Sequence, residues 1–171
     1  MENKLFGIYD YNVEIKDASL AKYISLRPLS YPHTFGRHGN TQFAKGKVNI
    51  VERLINKLMR GGTGEKLGGK IIRTHGKLSG KKTKCIRAVQ SAFSIAADKT
   101  RQNPVQLLIK AIENAAPLED VTRVRFGGIS YQLAVDISPQ RRLDVALRNI
   151  ALAAIMSAFD KKLKLEEALA N

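Results

Sequence analysis

The glycine pair Gly127-Gly128 separates two runs, 121–126 and 129–137, that are rich in β-branched and aromatic residues. A two-residue Gly-Gly loop suits the primed turns of hairpins, because both residues take positive φ without a Cβ clash. A two-residue loop sets Phe126 opposite Ile129, Val124 opposite Tyr131 and Thr122 opposite Leu133 on one face. Arg125 then pairs with Ser130, and Arg123 with Gln132, on the other. One side of the ribbon is apolar and the other is basic and polar. A lone hairpin is marginal in water, so this one is expected to lean on a helix or a partner. No acidic residue lies near its basic tip, which points to an anionic partner.

The ribbon runs straight into a helix. Ser138 is placed to cap it, and Pro139 suits the first helical position, where its missing N–H has no partner to lose. Arg141, Arg142 and Arg148 then load the first turns with positive charge. That charge opposes the helix dipole, a cost that nearby phosphates would offset.

The 171 residues suit one domain with arms. Net charge is +14, and its distribution says more than its total. Residues 27–101 hold seventeen Lys and Arg against Glu52, Glu65 and Asp98, while 1–26 and 102–171 are nearly neutral. A basic block of this kind is the electrostatic footprint of nucleic-acid binding. No helix offers, beside a basic face, an apolar one large enough to enter a membrane surface, which disfavours an anionic membrane as the partner. No apolar run approaches the ~20 residues of a membrane span, and Glu2 and Asp10 interrupt any signal-peptide pattern. Cys85 is the sole cysteine, so no disulfide framework exists within the chain. It falls in a helical pattern and reads as a small packing residue.

Residues 11–16 alternate like a short strand, and Asp17 opens a helical turn. The segment RPLSYPHTFGRHGNTQFAKGK (27–47) is broken by prolines and glycines. Arg27, Arg37, Lys45 and Lys47 charge it, with Tyr31, Phe35 and Phe43 interleaved. This is the composition of an extended arm on nucleic acid, with cations on phosphates and rings stacked on bases. His33 and His38 lack the further ligands a zinc site needs, His75 being distant. No metal and no cofactor is expected; hydrogen bonding to RNA suits His38 better.

Residues 48–60 form an amphipathic helix, with Val51, Leu54, Ile55, Leu58 and Met59 on one side and Arg53, Lys57 and Arg60 on the other. Gly61-Gly62 ends it. Residues 61–84 are a connection of seven glycines and six lysines. Gly64 to Lys70 fits G-x-x-x-x-G-K, but Ile71 stands where a P-loop needs Ser or Thr, and a helix precedes it in place of a strand. Lys77, Lys81, Lys82 and Lys84 are expected on a phosphate backbone. Helices follow at 83–99 (stripe Ile86, Val89, Phe93, Ala96, Ala97), from Pro104 after the cap Asn103, and from Pro139. The last of these is expected to bury Leu143, Ala146, Leu147, Ile150, Ala153 and Ala154, and a weaker helix covers 161–169.

The expected fold is mainly α. It is a bundle of about five to six helices with a protruding two-stranded hairpin at about 121–137 and an extended basic N-terminal arm. Residues 1–47 form the extension and arm, and 48–171 a single helical domain.

Four blocks carry a resemblance: YPHTFGRH (31–38), NIVERLINKLMRGG (49–62), NPVQLLIKAIENAAP (103–117) and RVRFGGISYQLAVDISPQRRLDVALR (123–148). In this order they resemble the small-subunit ribosomal protein seven family, the first block its archaeal and eukaryotic-cytosolic branch. The similarity covers roughly residues 4 to 169. It implies a non-enzymatic structural constituent of the cytoplasmic ribosome, monomeric within it. Such a protein binds the 3′ major domain of small-subunit ribosomal RNA (rRNA) at a multi-helix junction and nucleates assembly of the subunit head. It implies a hairpin near the exit-site transfer RNA (tRNA) and the messenger RNA path, beside the platform protein numbered eleven and other head neighbours. Carried over by position, the hairpin tip is Gly127, Gly128, Ser130, Tyr131 and Gln132, with Arg123 and Arg125 as its basic residues. Arg141, Arg142 and Arg148 fall on the RNA-facing helix. Lys77, Lys81, Lys82 and Lys84 fall on a basic contacting segment. Members usually run on past the position of Asn171, and contacts of that part are not carried over.

The rival reading is an architectural DNA-binding protein, which would want a helix-turn-helix or a dimer seam. A nuclease would want clustered carboxylates for metal, whereas the acids of the basic block are spread apart.

Overall fold

A computed structural model describes residues 4–61, 66–67, 70–71, 76–159 and 161–171, with side chains omitted for 66–67 and 70–71. The P-loop-like segment around Gly64 and Gly69, and His75, lie outside the described residues. Six helices occur among the described residues: α1 Ala18–Ala21, α2 Ile50–Leu58, α3 Lys82–Thr100, α4 Pro104–Ala115, α5 Pro139–Ala158 and α6 Leu165–Ala170. Two antiparallel pairs accompany them: β1 Lys66–Leu67 with β2 Lys70–Ile71, and β3 Glu119–Phe126 with β4 Ile129–Asp136. The Gly- and Lys-rich connection after α2 contains a two-residue ladder. The fold is the mainly α bundle with a hairpin that the sequence pattern predicts.

α5 is the central helix and packs against α1, α2, α4 and α6, while α3 closes on α2, α4 and α6. Four of the six helices start at a short polar side chain. Asp17, Asn49 and Asn103 accept hydrogen bonds from the amides of Ser19, Val51 and Val105 at 2.8, 2.9 and 3.0 Å. Each satisfies a donor that the first turn leaves open. Ser138 is the exception: it holds the cap position of α5, but its side chain makes no cap hydrogen bond, and its carbonyl alone accepts from Arg142 N.

Leu54, Ile55, Leu58, Ile86, Val89, Ile109, Ile112, Leu143 and Leu147 are all but fully buried in the core. Burying one such side chain stabilises the fold by roughly 1.5–3 kcal/mol. Leu5, Leu20 and Ile24 join the same core from the N-terminal segment. Two details of the stripes differ from expectation. On α5, Ala153 is exposed, and Ala151 and Ile155 are buried in its place, continuing the i, i+4 row from Leu143 and Leu147. On α3, Ala96 and Ala97 are only half-buried.

Residues 11–16 are extended, but among the described residues they pair with no strand. Tyr11, Val13 and Ile15 turn to the core, as the alternation predicts. The backbone partners are side chains of α4. Gln106 bonds both the amide and the carbonyl of Glu14 at 2.9 Å, and Glu113 Oε1 accepts from the amides of Lys16 and Asp17 at 2.7 and 3.0 Å.

The hairpin has the expected register, Phe126↔Ile129 through Thr122↔Leu133, with φ of 58° and 83° at Gly127 and Gly128. Every residue of both strands is exposed. Of the two supports expected for the ribbon, a helix or a partner, no helix covers it among the described residues. Only its base is tied, by Ile137 N to Leu118 O at 3.1 Å and by Arg141 to Asp120 at 2.9 Å.

Candidate nucleic-acid interface

The cations singled out from the sequence divide into those committed within the fold and those left at its surface. Arg142 is committed. It is 6% exposed and donates to Pro117 O at 3.0 Å, to Asp17 Oδ2 at 2.9 Å and to Ser19 Oγ. It joins α5 to α1 and to the approach to β3, so the expectation of an outward charge there is corrected. Hydrogen bonds from the Ser19 hydroxyl and amide, with the Arg142 guanidinium adding to them, hold the Asp17 carboxyl below its ordinary range against its partial burial.

Arg53 is corrected in the same way. Placed by helical spacing on the open side of α2, it is 3% exposed because α5 covers that side. Its Nη2 donates to Asp144 Oδ1 at 3.2 Å and its Nη1 to Tyr23 O at 3.3 Å. Lys82 is paired to the fully buried Glu52 at 2.5 Å. Glu52 Oε1 also accepts from the amide and hydroxyl of Thr34, both at 2.9 Å, which ties the arm to α2 and α3. Burial pushes the Glu52 carboxyl up, but Lys82 and Thr34 outweigh it and hold it below its usual value.

Asp144 of α5 gathers three cations: Lys45 at 2.5 Å, Arg53 at 3.2 Å and Lys57 at 3.5 Å. Burial raises this carboxyl, and the Lys45 hydrogen bond with the surrounding positive charge brings it below the ordinary value. Lys57 is itself depressed, first by burial and then by Lys45 and Arg60, against the pull of Asp144.

Around this cluster the surface is cationic and continuous. A shallow depression of about 500 Å³ is lined by Arg27, Arg37, His38 and Lys47. It adjoins one of about 110 Å³ at His38, Lys45, Lys57, Arg60 and Asp144. A third, about 410 Å³, runs from Lys57 and Arg60 to Arg148 on α5. Asp144, in the second of them, is the one carboxylate among the described residues that line the three. His38 is oriented by Thr34 at 3.3 Å. Arg27, Arg37, Lys47 and Arg60 are exposed and carry no ion pair among the described residues. Lys77, Lys81 and Lys84 are likewise exposed at the start of α3, and Arg123 and Arg125 on the hairpin.

The arm is not a straight extension. It contains two 3-10 turns, at Arg37–Asn40 and Ala44–Lys47. Phe35 and Phe43 adopt left-handed backbone with φ of 53° and 60°, and their rings are 79% and 74% exposed. His33 lies between Tyr31 and Phe35, with ring centroids 6.5 and 4.2 Å away. The hairpin tip residues Gly127, Gly128, Ser130, Tyr131 and Gln132 are all exposed.

Sequence reasoning missed Asp144, because nothing local links it to Lys45, 99 positions away. It also missed the exposed Arg87, one turn beyond Lys84 on α3, which helical spacing from Lys84 would have found. Among the described residues no three metal-ligating side chains cluster, and no helix is long and apolar enough to cross a membrane. Cys85 is buried, and burial pushes its thiol up.

The profile of the family described as Ribosomal protein S7p/S5e matches residues 20–171. The chain belongs to the ribosomal protein S7p/S5e family. It is 50% identical over 159 residues to the small ribosomal subunit protein uS7 of Methanothermobacter thermautotrophicus, covering 93% of this chain and 78% of that protein. S7p/S5e proteins are structural components of the ribosome. As a small-subunit ribosomal protein, the chain has rRNA as a partner.

Proposed function

We propose that the chain is a structural constituent of the small ribosomal subunit. In this reading it binds the 3′ major domain of its rRNA at a multi-helix junction and nucleates assembly of the subunit head. The observation that carries this reading is the strip from Arg27 and Arg37 through Lys45, Lys57 and Arg60 to Arg148, assembled from the arm, α2 and α5. Three segments distant in sequence set their cations side by side on a packed core. A surface of this kind meets phosphates from more than one RNA helix at once. Lys77, Lys81, Lys84 and Arg141 are further exposed cations, before and within the first turn of α3 and in the first turn of α5. The mechanism is physical: cations neutralise phosphates, release counterions and hold closed a junction that RNA alone leaves open. The exposed rings of Phe35 and Phe43 provide stacking platforms for unpaired bases.

The hairpin has a separate task in this reading. Its tip, Gly127 to Gln132, reaches toward the exit-site tRNA and the messenger path, beside the platform protein numbered eleven. Complete exposure of both strands supports a role outside the bundle. Chemical footprinting of the isolated 3′ major domain tests the proposal. Protection of one multi-helix junction is expected. Weak protection spread over the whole RNA would contradict it.

A further inference from the structure

Asp144 poses a problem of sign. A carboxylate on a surface that meets phosphates repels them, yet this one lies in the middle of the cationic strip. Its partners come from separate segments: Lys45 from the arm, Arg53 and Lys57 from α2. The side chain of Arg53 is 2% exposed, too buried to reach a phosphate, whereas those of Lys45 and Lys57 are 46% and 21% exposed. The two lysines therefore keep a face toward the depression while their ammonium groups are anchored from behind. Lysine is the residue for which such anchoring matters most, since its long stem loses much rotamer freedom on binding.

We infer that Asp144 is a positioning residue for RNA binding, fixing the Lys45 and Lys57 ammonium groups at the geometry of the phosphates they meet. The inference rests on the rRNA-binding reading above and deepens it. One negative charge orders three positive ones, so the cluster remains net positive toward RNA. Ordering two lysines beforehand removes the cost of immobilising their side chains from the binding step.

The test exploits the sign. On charge alone, Asp144→Asn strengthens RNA binding, because a repulsive carboxylate is gone. Positioning makes the same substitution weaken it, by roughly fivefold to tenfold. The full chain is titrated with the 3′ major domain RNA fragment at fixed salt. Since Asp144→Asn leaves the buried Arg53 without a carboxylate partner, a second variant, Arg53→Met with Asp144→Asn, removes that cation and keeps the wild-type net charge. It is expected to melt cooperatively and to bind RNA weakly as well. A third comparison separates positioning from support of the fold: the penalty of Lys45→Ala should shrink in the Asp144→Asn background. Equal or tighter binding by both variants, or an unchanged Lys45→Ala penalty, would overturn the inference. Failure of the unmodified chain to bind the RNA would instead overturn the reading beneath it.

Discussion

Arg141 and Arg142 are adjacent in sequence and opposite in consequence. Arg141 is exposed and pairs with the exposed Asp120. Arg142 is buried and closes a hydrogen-bonded joint between α5, α1 and Pro117. Arg141→Ala is expected to leave the melting temperature unchanged and to weaken RNA binding. Arg142→Ala is expected to destabilise the fold by about 2 kcal/mol, because a charge-assisted set of hydrogen bonds is lost from a buried site. Thermal melts of the two variants check this, and equal stability would contradict it. Helical spacing alone does not separate the pair, since whether a residue beside the stripe is covered depends on α1 and the loop before β3, which fold over it. The same holds for Arg53 under α5. Glu52 sets an acid limit on stability. Its folded carboxyl lies below the ordinary value of 4.5, so its contribution is complete above that pH and is lost as pH falls through the lower folded value. Melting temperatures measured from pH 7 to 3 should therefore drop at the acid end, and Glu52→Gln should lower the neutral plateau while flattening the drop. An unchanged plateau would remove Glu52 from this role.

Among the elements, the hairpin shows how far a short-range signal reaches. Gly127-Gly128 and the two flanking runs determine loop, register and facing pairs from local chemistry alone, and the ribbon has that register. What supports the ribbon is not local, and among the described residues nothing covers its faces. Replacing residues 127–131 with a short loop is expected to leave the melting temperature within about 2 °C, since exposed residues contribute little. The variant should also retain rRNA binding and alter exit-site behaviour; loss of rRNA binding would show that the hairpin belongs to the primary interface. The start of α5 was readable from Ser138-Pro139, although the serine hydroxyl does not cap. Residues 11–16 were readable as extended and half-buried, but their partners are Gln106 and Glu113 on a helix, which no strand pattern encodes. Gly61 is informative in another way. It follows α2 as a helix-ending glycine should, yet a Cβ there would lie 2.1 Å from Ile155 Cδ1. Close approach of α5 explains this glycine as well as the helix end does. Gly61→Ala should cost about 1–3 kcal/mol through overpacking against the buried Ile155, measured by denaturant unfolding; a neutral result would mean that Ile155 rotates away freely.

At the scale of the whole molecule, the excess of charge between residues 27 and 101 is the feature that sequence showed most plainly, and the fold converts it into a surface. Part of the positive charge is internal: Arg53, Arg142 and Lys82 are held by Asp144, Asp17 and Glu52. Among the described residues, the other cations singled out from the sequence lie along the arm, α2, the start of α3, the hairpin and α5. Charge totals therefore overstate the number of phosphates this protein meets, and burial corrects the count. The decisive measurement is a titration of the full chain with the 3′ major domain of small-subunit rRNA at several salt concentrations, competed by duplex DNA of equal charge. Each phosphate neutralised adds roughly 0.7–0.9 to the slope of log affinity against log salt. Tight RNA binding that survives excess DNA, with a slope of several phosphates, is the expected result. Equal affinity for the two nucleic acids would contradict it, leaving only a basic surface without a preferred RNA.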